Sequence, residues 1–99
     1  MSERIIRHVI IRGHVQGVGY RDWTRYVARE RGIEGWVRNR QDGSVEAVFA
    51  GTSETMTGMI VACRKGPSNA AVVDIEERDG AVEELELRGE KPFAVLPTI

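Results

Sequence analysis

The segment GWVRNRQDGSVEAVFAG, residues 35–51, constrains the fold of this chain more than any other. Trp36-Val37 and Val45–Phe49 are rich in residues that favour strands, and Asp42-Gly43 between them is typical of a tight turn. The pattern predicts a β-hairpin with strands over about residues 35–40 and 44–50. An antiparallel sheet is therefore part of the expected fold.

A strand and then a helix are predicted before the hairpin. Ile5–Arg12 is rich in β-branched residues, which indicates a buried strand. Arg21–Arg31 places apolar side chains at helical spacing on one face, and Gly32 is a typical helix stop.

The chain after the hairpin repeats this order, with a second helix and then strands. Ser53–Lys65 carries an apolar stripe at helical spacing, with Thr52 or Ser53 as its cap. Ala71–Ile75 reads as a strand, whereas the acidic segment 76–90 is ambiguous, part strand extension and part loop. Phe93–Leu96 reads as a short final strand, and the prolines beside it limit that strand to an edge.

The order of these elements is strand, helix, strand, strand, helix, strand, with one short extra strand. This order predicts an α+β, ferredoxin-like split βαβ sandwich with two helices on one face of an antiparallel sheet. The 99 residues suffice for a single domain, which we expect over 1–99. The fold by itself does not indicate a function, because the same fold serves many functions.

The composition is that of an ordinary globular chain, with 41% hydrophobic and 29% charged residues. The lone Cys63 precludes an internal disulfide, and no segment has the pattern of a secretory signal or a membrane span. We expect a cytoplasmic monomer that binds neither membranes nor nucleic acid. The charge is uneven, because residues 1–40 hold nine Arg against four acidic residues, and residues 41–99 hold five basic against eleven acidic residues. The basic half could attract a small anion.

The stretch GHVQGVGYR, residues 13–21, joins the first strand to the first helix. A helix start attracts anions, and Gly13, Gly17 and Gly19 would let the backbone curl its N–H groups inward. A cation such as Arg21 in the first helical turn opposes the helix dipole unless an anion binds there. Asp22 beside it suits the helix start and could orient Arg21. The alternative to an anion site is that this stretch is only a tight turn before a helix.

Asn39 is the second candidate, because it lies at the predicted end of the second strand. In a right-handed crossover this strand end can lie close to the loop after the first strand. A carboxamide has a donor and an acceptor but no charge, so it can hold water near a phosphate without repelling it. The alternative is that Asn39 merely caps the hairpin.

Taken together, GHVQGVGYR, GWVRN and DGSVEA resemble the acylphosphatase family. The resemblance implies a ferredoxin-like fold and hydrolysis of the carboxyl–phosphate bond of acyl phosphates, without a metal, a cofactor or a phospho-enzyme. It assigns the phosphate-binding arginine to Arg21 and the water-positioning asparagine to Asn39. Inorganic phosphate or sulfate would compete with the substrate. Backbone groups of the loop would cradle the phosphate: Gly13, Val15, Gln16, Gly17, Val18, Gly19 and Tyr20.

The chain departs from the family pattern at His14, Arg31 and the ending KPFAVLPTI. Rival interpretations are a slow acyl-phosphate sensor, a domain of a larger carbamoyl-transfer protein, and a non-catalytic anion- or RNA-binding ferredoxin-like module. The RNA reading would use Trp36 and Phe49 as stacking platforms. We interpret His8 as a sheet residue, His14 as a surface residue and Cys63 as a core residue, with no metal site.

Overall fold

The structure, a computed structural model, describes residues 3–99 of the chain. Its helices and strands follow the predicted order, with an added short helix and a 3₁₀ turn. The elements are β1 (Ile5–His14), α1 (Tyr20–Glu30), β2 (Glu34–Asn39), β3 (Val45–Gly51), α2 (Ser53–Lys65), β4 (Ala71–Asp79), α3 (Val82–Leu85), the 3₁₀ turn Glu86–Arg88 and β5 (Phe93–Val95).

The sheet has the order β4-β1-β3-β2-β5. The first four strands are antiparallel neighbours, and β5 lies at the edge, parallel to β2. The ferredoxin-like fold predicted from the sequence is confirmed, but the sheet is mixed rather than wholly antiparallel. Because β3 lies between β1 and β2, those two strands run in the same direction. Ile11 and Asn39 both pair with Val45, so they stand in one row across the sheet.

The main core lies between the sheet and the helices α1 and α2. Its side chains come from alternate positions on the strands, as expected for a sheet with one covered face. Tyr20 of α1 donates a hydrogen bond of 2.7 Å to the carbonyl oxygen of Cys63 in α2, which ties the two helices together. Members of this core that are fully shielded from solvent include Val9, Ile11, Val37, Val45, Ala47, Phe49 and Met59.

The other face of the sheet is covered at one end by α3 and the 3₁₀ turn. Trp36 is 1% exposed there, and its indole N–H donates to the carbonyl oxygen of Glu84 over 2.7 Å. The Glu84 side chain accepts hydrogen bonds from Arg78 and from the backbone N–H of Ala81, and these bonds lower its pKa to about 2. The segment 76–90 is thus strand as far as Asp79 and mostly helical beyond it, rather than a loop.

The first helix ends at Glu30, one residue before the predicted end, and Arg31 is its exposed C-cap. The guanidinium of Arg31 lies against α2, where a Cβ at Gly58 would stand 2.7 Å from Arg31 Nη1. Gly58, a poor helix former inside α2, therefore makes room for this side chain.

Candidate active site

The candidate site lies at one edge of the sheet, where the parallel strands β1, β2 and β5 all end. A cleft of about 190 Å³ opens there between the β1–α1 loop and the end of β2. The cleft brings together side chains and backbone that are distant in sequence. Its lining residues are Val15, Gln16, Gly17, Gly19, Tyr20, Arg21, Asp22, Asn39 and Val95.

The loop between β1 and α1 forms one wall of the cleft. Gly17 and Gly19 have φ angles of 74° and 78°, a conformation that residues with a side chain rarely adopt. Gly19 is also the N-cap of α1, and no side chain within residues 3–99 caps the start of the helix. Among the residues that the structure describes, the backbone N–H groups from Val15 to Asp22 have no hydrogen-bond acceptor. The wall therefore presents free donors at the positive end of a helix dipole.

Arg21 lines the cleft from the first turn of α1 and is partly buried. Within residues 3–99 its guanidinium has no carboxylate partner within ion-pair distance. The neighbouring Asp22 does not orient it as the sequence suggested. Asp22 Oδ1 lies 3.5 Å from Arg25 Nη2 instead, on the exposed side of the helix. The five donors of Arg21 are thus free to bind an anion.

Asn39 is the last residue of β2 and faces the loop across the cleft. Its Oδ1 atom is buried, and it has no hydrogen-bond partner in the described part of the chain. A buried amide oxygen without a donor leaves one hydrogen bond unmade, so Oδ1 can accept a hydrogen bond from a water or a ligand in the cleft. The backbone around it is fixed by the C-terminal segment, because Ile99 N donates to Asn39 O (3.2 Å) and Gln41 N donates to Ile99 O (3.0 Å).

Two residues that the sequence assigned to the phosphate cradle do not line the cleft. Gly13 lies within β1 beside a β-bulge, where it pairs with Val72 of β4. A Cβ there would overlap the carbonyl oxygen of Ala71, so the close approach of β4 explains the glycine. The Val18 side chain packs against the main core, and only its backbone remains part of the loop.

Two other features of the cleft were missed in the sequence. Val95 reaches it because β5 runs parallel to β2, which the short final strand did not reveal. The side chain of Gln16 donates to the carbonyl oxygens of Arg40 and Ser44 at 2.8 Å each, whereas the sequence suggested a role for its backbone only. Both contacts link residues far apart in the chain, so no local pattern signals them.

A larger and more open depression, about 510 Å³, lies on the sheet face away from α1 and α2. Within residues 3–99 most of its charged side chains are held in ion pairs, and Arg40 is the exception. Glu46 binds Arg38 and His8 at 2.7 Å each, and Arg78 binds Glu84 at 2.7 Å. The smaller cleft, with its unpaired donors, is the better candidate for an anion site.

The remaining candidates from the sequence lie elsewhere. His8 is a sheet residue, as expected, and His14 is exposed. Burial raises the pKa of the Cys63 thiol to about 12, so the thiol is a protonated core group at neutral pH. Within residues 3–99 no three potential metal ligands come together, and no helix is long and apolar enough to cross a membrane.

The two aromatic rings on which RNA bases could stack are both buried. Trp36 is 1% exposed beneath α3, and Phe49 is fully buried on the helix-covered face, where it stacks with Phe93. Base stacking needs open rings, so these positions do not form an RNA-binding platform.

Several known proteins are similar to this chain in sequence and in fold. A sequence profile of the acylphosphatase family matches residues 7–92. An acylphosphatase of Rhodopseudomonas palustris strain BisB18 is 52% identical over 97 residues, covering 96% of this chain and 97% of that protein. One from Bradyrhizobium diazoefficiens is 52% identical, covering 97% and 98%. The solved structure of an acylphosphatase from Coxiella burnetii superposes with a TM-score of 0.83 at 31% identity, covering 94% and 93%. The chain belongs to the acylphosphatase family.

Proposed function

We propose that this chain hydrolyses the carboxyl–phosphate bond of acyl phosphates in the cleft between the β1–α1 loop and β2. The N–H groups of Val15–Tyr20 and the guanidinium of Arg21 hold the phosphoryl group, and Asn39 positions the attacking water. The observation that carries the proposal is the convergence in one cleft of unpaired loop donors, an arginine without a carboxylate partner and a buried carboxamide oxygen.

The reaction asks mainly for positioning and charge stabilisation. A carboxylate is a good leaving group, so little acid catalysis is needed. The transferring phosphoryl group spreads negative charge over its three equatorial oxygens while the attacking and leaving oxygens lie in line. Fixed N–H donors and a planar guanidinium meet that charge without having to reorganise.

The nucleophile is a water molecule on the β2 side of the cleft. Asn39 accepts a hydrogen bond from this water through Oδ1 and carries no charge that would repel the phosphoryl group. Among residues 3–99, Asp22 is the one carboxylate that lines the cleft, and it lies 3.5 Å from Arg25 Nη2 on the surface. We therefore assign the proton of the attacking water to a substrate oxygen rather than to a general base.

The same donors would bind inorganic phosphate or sulfate, which should compete with the substrate. We further propose that the chain works as a cytoplasmic monomer without a metal or a cofactor. The single cysteine, held in the core, is compatible with a reducing compartment.

The test is release of inorganic phosphate from benzoyl phosphate by the purified full chain, with excess chelator present. We expect rapid, saturable hydrolysis that the chelator leaves unchanged and that added phosphate inhibits competitively. A chain that binds benzoyl phosphate in competition with inorganic phosphate, but hydrolyses it no faster than the spontaneous reaction, would be a sensor rather than an enzyme. Activity lost with the chelator and restored by a divalent cation would contradict the proposed mechanism.

A further inference from the structure

We propose that the side chain of Gln16 is a positioning residue that sets the distance between the phosphate loop and Asn39. Gln16 lies in the loop, and its Nε2 donates to Arg40 O and Ser44 O at 2.8 Å each. Both acceptors are carbonyl oxygens, so the orientation of the amide follows from its partners. Arg40 directly follows Asn39, and Ser44 lies opposite Arg40 across the hairpin turn.

The hairpin turn is complete without Gln16. Arg40 N donates to Ser44 O (2.9 Å), and Gly43 N donates to Arg40 O (3.1 Å). The two carbonyl groups therefore keep one partner each when Gln16 is removed. The two bonds from Gln16 add nothing to the closure of the turn, but they fix the hairpin against the loop.

This bridge connects the two halves of the reaction, and the inference rests on the proposed function. The loop holds the phosphoryl group, whereas the end of β2 carries the group that aims the water. An error of about 1 Å between the two can cost a factor of about 100 in rate, although each half still binds its own partner. Loss of the bridge should therefore lower kcat and leave phosphate binding largely intact.

The experiment compares wild type, Gln16→Met, Asn39→Ala and the double variant with benzoyl phosphate. Methionine keeps the length and the backbone N–H of residue 16 but has no donor for the two carbonyl groups. We expect kcat of Gln16→Met to fall by about tenfold or more. The inhibition constant of inorganic phosphate should stay near the wild-type value. In the Asn39→Ala background the same change should have almost no further effect, because Gln16 acts through Asn39.

Thr52→Ala is the matched control. It also removes a side-chain–backbone hydrogen bond, from Thr55 N to Thr52 Oγ1 at the start of α2, far from the cleft. We expect it to lower the thermal midpoint without changing kcat. Each variant is assayed below its own unfolding transition.

Three results would overturn the inference: an unchanged kcat in Gln16→Met, an equal fractional loss in both backgrounds, or a Gln16→Met chain that does not fold. Normal activity of Asn39→Ala would instead refute the water-positioning function on which the inference rests.

Discussion

Arg21→Ala is expected to remove substrate binding and turnover together. Arg21 is the one arginine that lines the cleft, and it has no carboxylate to neutralise it within residues 3–99. A guanidinium holds a phosphoryl group through two parallel charge-assisted hydrogen bonds. Arginines that stabilise the transition state of phosphoryl transfer contribute about 10³- to 10⁵-fold to the rate. We therefore expect kcat/KM for benzoyl phosphate to fall at least about a thousandfold.

The shape of the guanidinium matters as well as its charge. Arg21→Lys keeps the charge but presents an ammonium without the planar fork, so we expect most of the loss to remain. Arg25→Ala is the matched control, since Arg25 lies one turn further along α1 and pairs with Asp22 on the surface. It should keep nearly wild-type activity. An Arg21→Ala chain within about tenfold of wild type would contradict the assignment.

Arg21→Ala should lower activity, but it should not lower the stability of the ligand-free protein. A cation in the first turn of a helix is unfavourable by about 0.3–1 kcal/mol, because it meets the positive end of the helix dipole. Arg21→Ala should therefore unfold at the same or a slightly higher temperature than wild type without ligand. Added phosphate should raise the midpoint of wild type, by mass action, and that of the variant much less.

Asn39→Ala is expected to separate binding from turnover. The loop and Arg21 are unchanged in this variant, so the inhibition constant of phosphate should stay close to that of wild type. Without the carboxamide the water is no longer held in line, and kcat should fall about a hundredfold or more.

Steady-state kinetics with and without phosphate measure both quantities for Asn39→Ala. Asn69→Ala, in the exposed turn before β4, is the control and should behave as wild type. Near-normal turnover of Asn39→Ala would refute the role given to Asn39. A large loss of phosphate affinity would place Asn39 among the phosphate-binding groups instead.

Local patterns in the sequence were sufficient for most of the fold. The turn at Asp42-Gly43 and the apolar stripes of α1 and α2 depend on neighbours in the chain, and all three were predicted close to their observed positions. The convergence of the loop and Asn39 also followed, since a split βαβ order makes β1 and β2 parallel. Their strand ends must then lie at one edge of the sheet.

The features that were missed depend on partners distant in the chain. The helix α3 covers Trp36 on the sheet face away from α1 and α2. The acidic residues of 76–90 do not indicate that they fold over this ring. A strand extension beyond Ile75 was expected, but its end at Asp79 is decided by the pairing of β4 with β1. The bridge from Gln16 to the hairpin likewise appears only when the loop and the turn are brought together.

The central claim is that the N–H groups of the β1–α1 loop and the guanidinium of Arg21 bind the phosphoryl group beside Asn39. A crystal structure of the full chain soaked with orthovanadate tests it most directly. We predict vanadate in the cleft, with its oxygens accepting hydrogen bonds from the N–H groups of Val15–Tyr20 and from Arg21, and one ligand oxygen within reach of Asn39. Vanadate bound only in the depression beside Arg38 and Arg78, or nowhere on the chain at saturating concentration, would contradict the account.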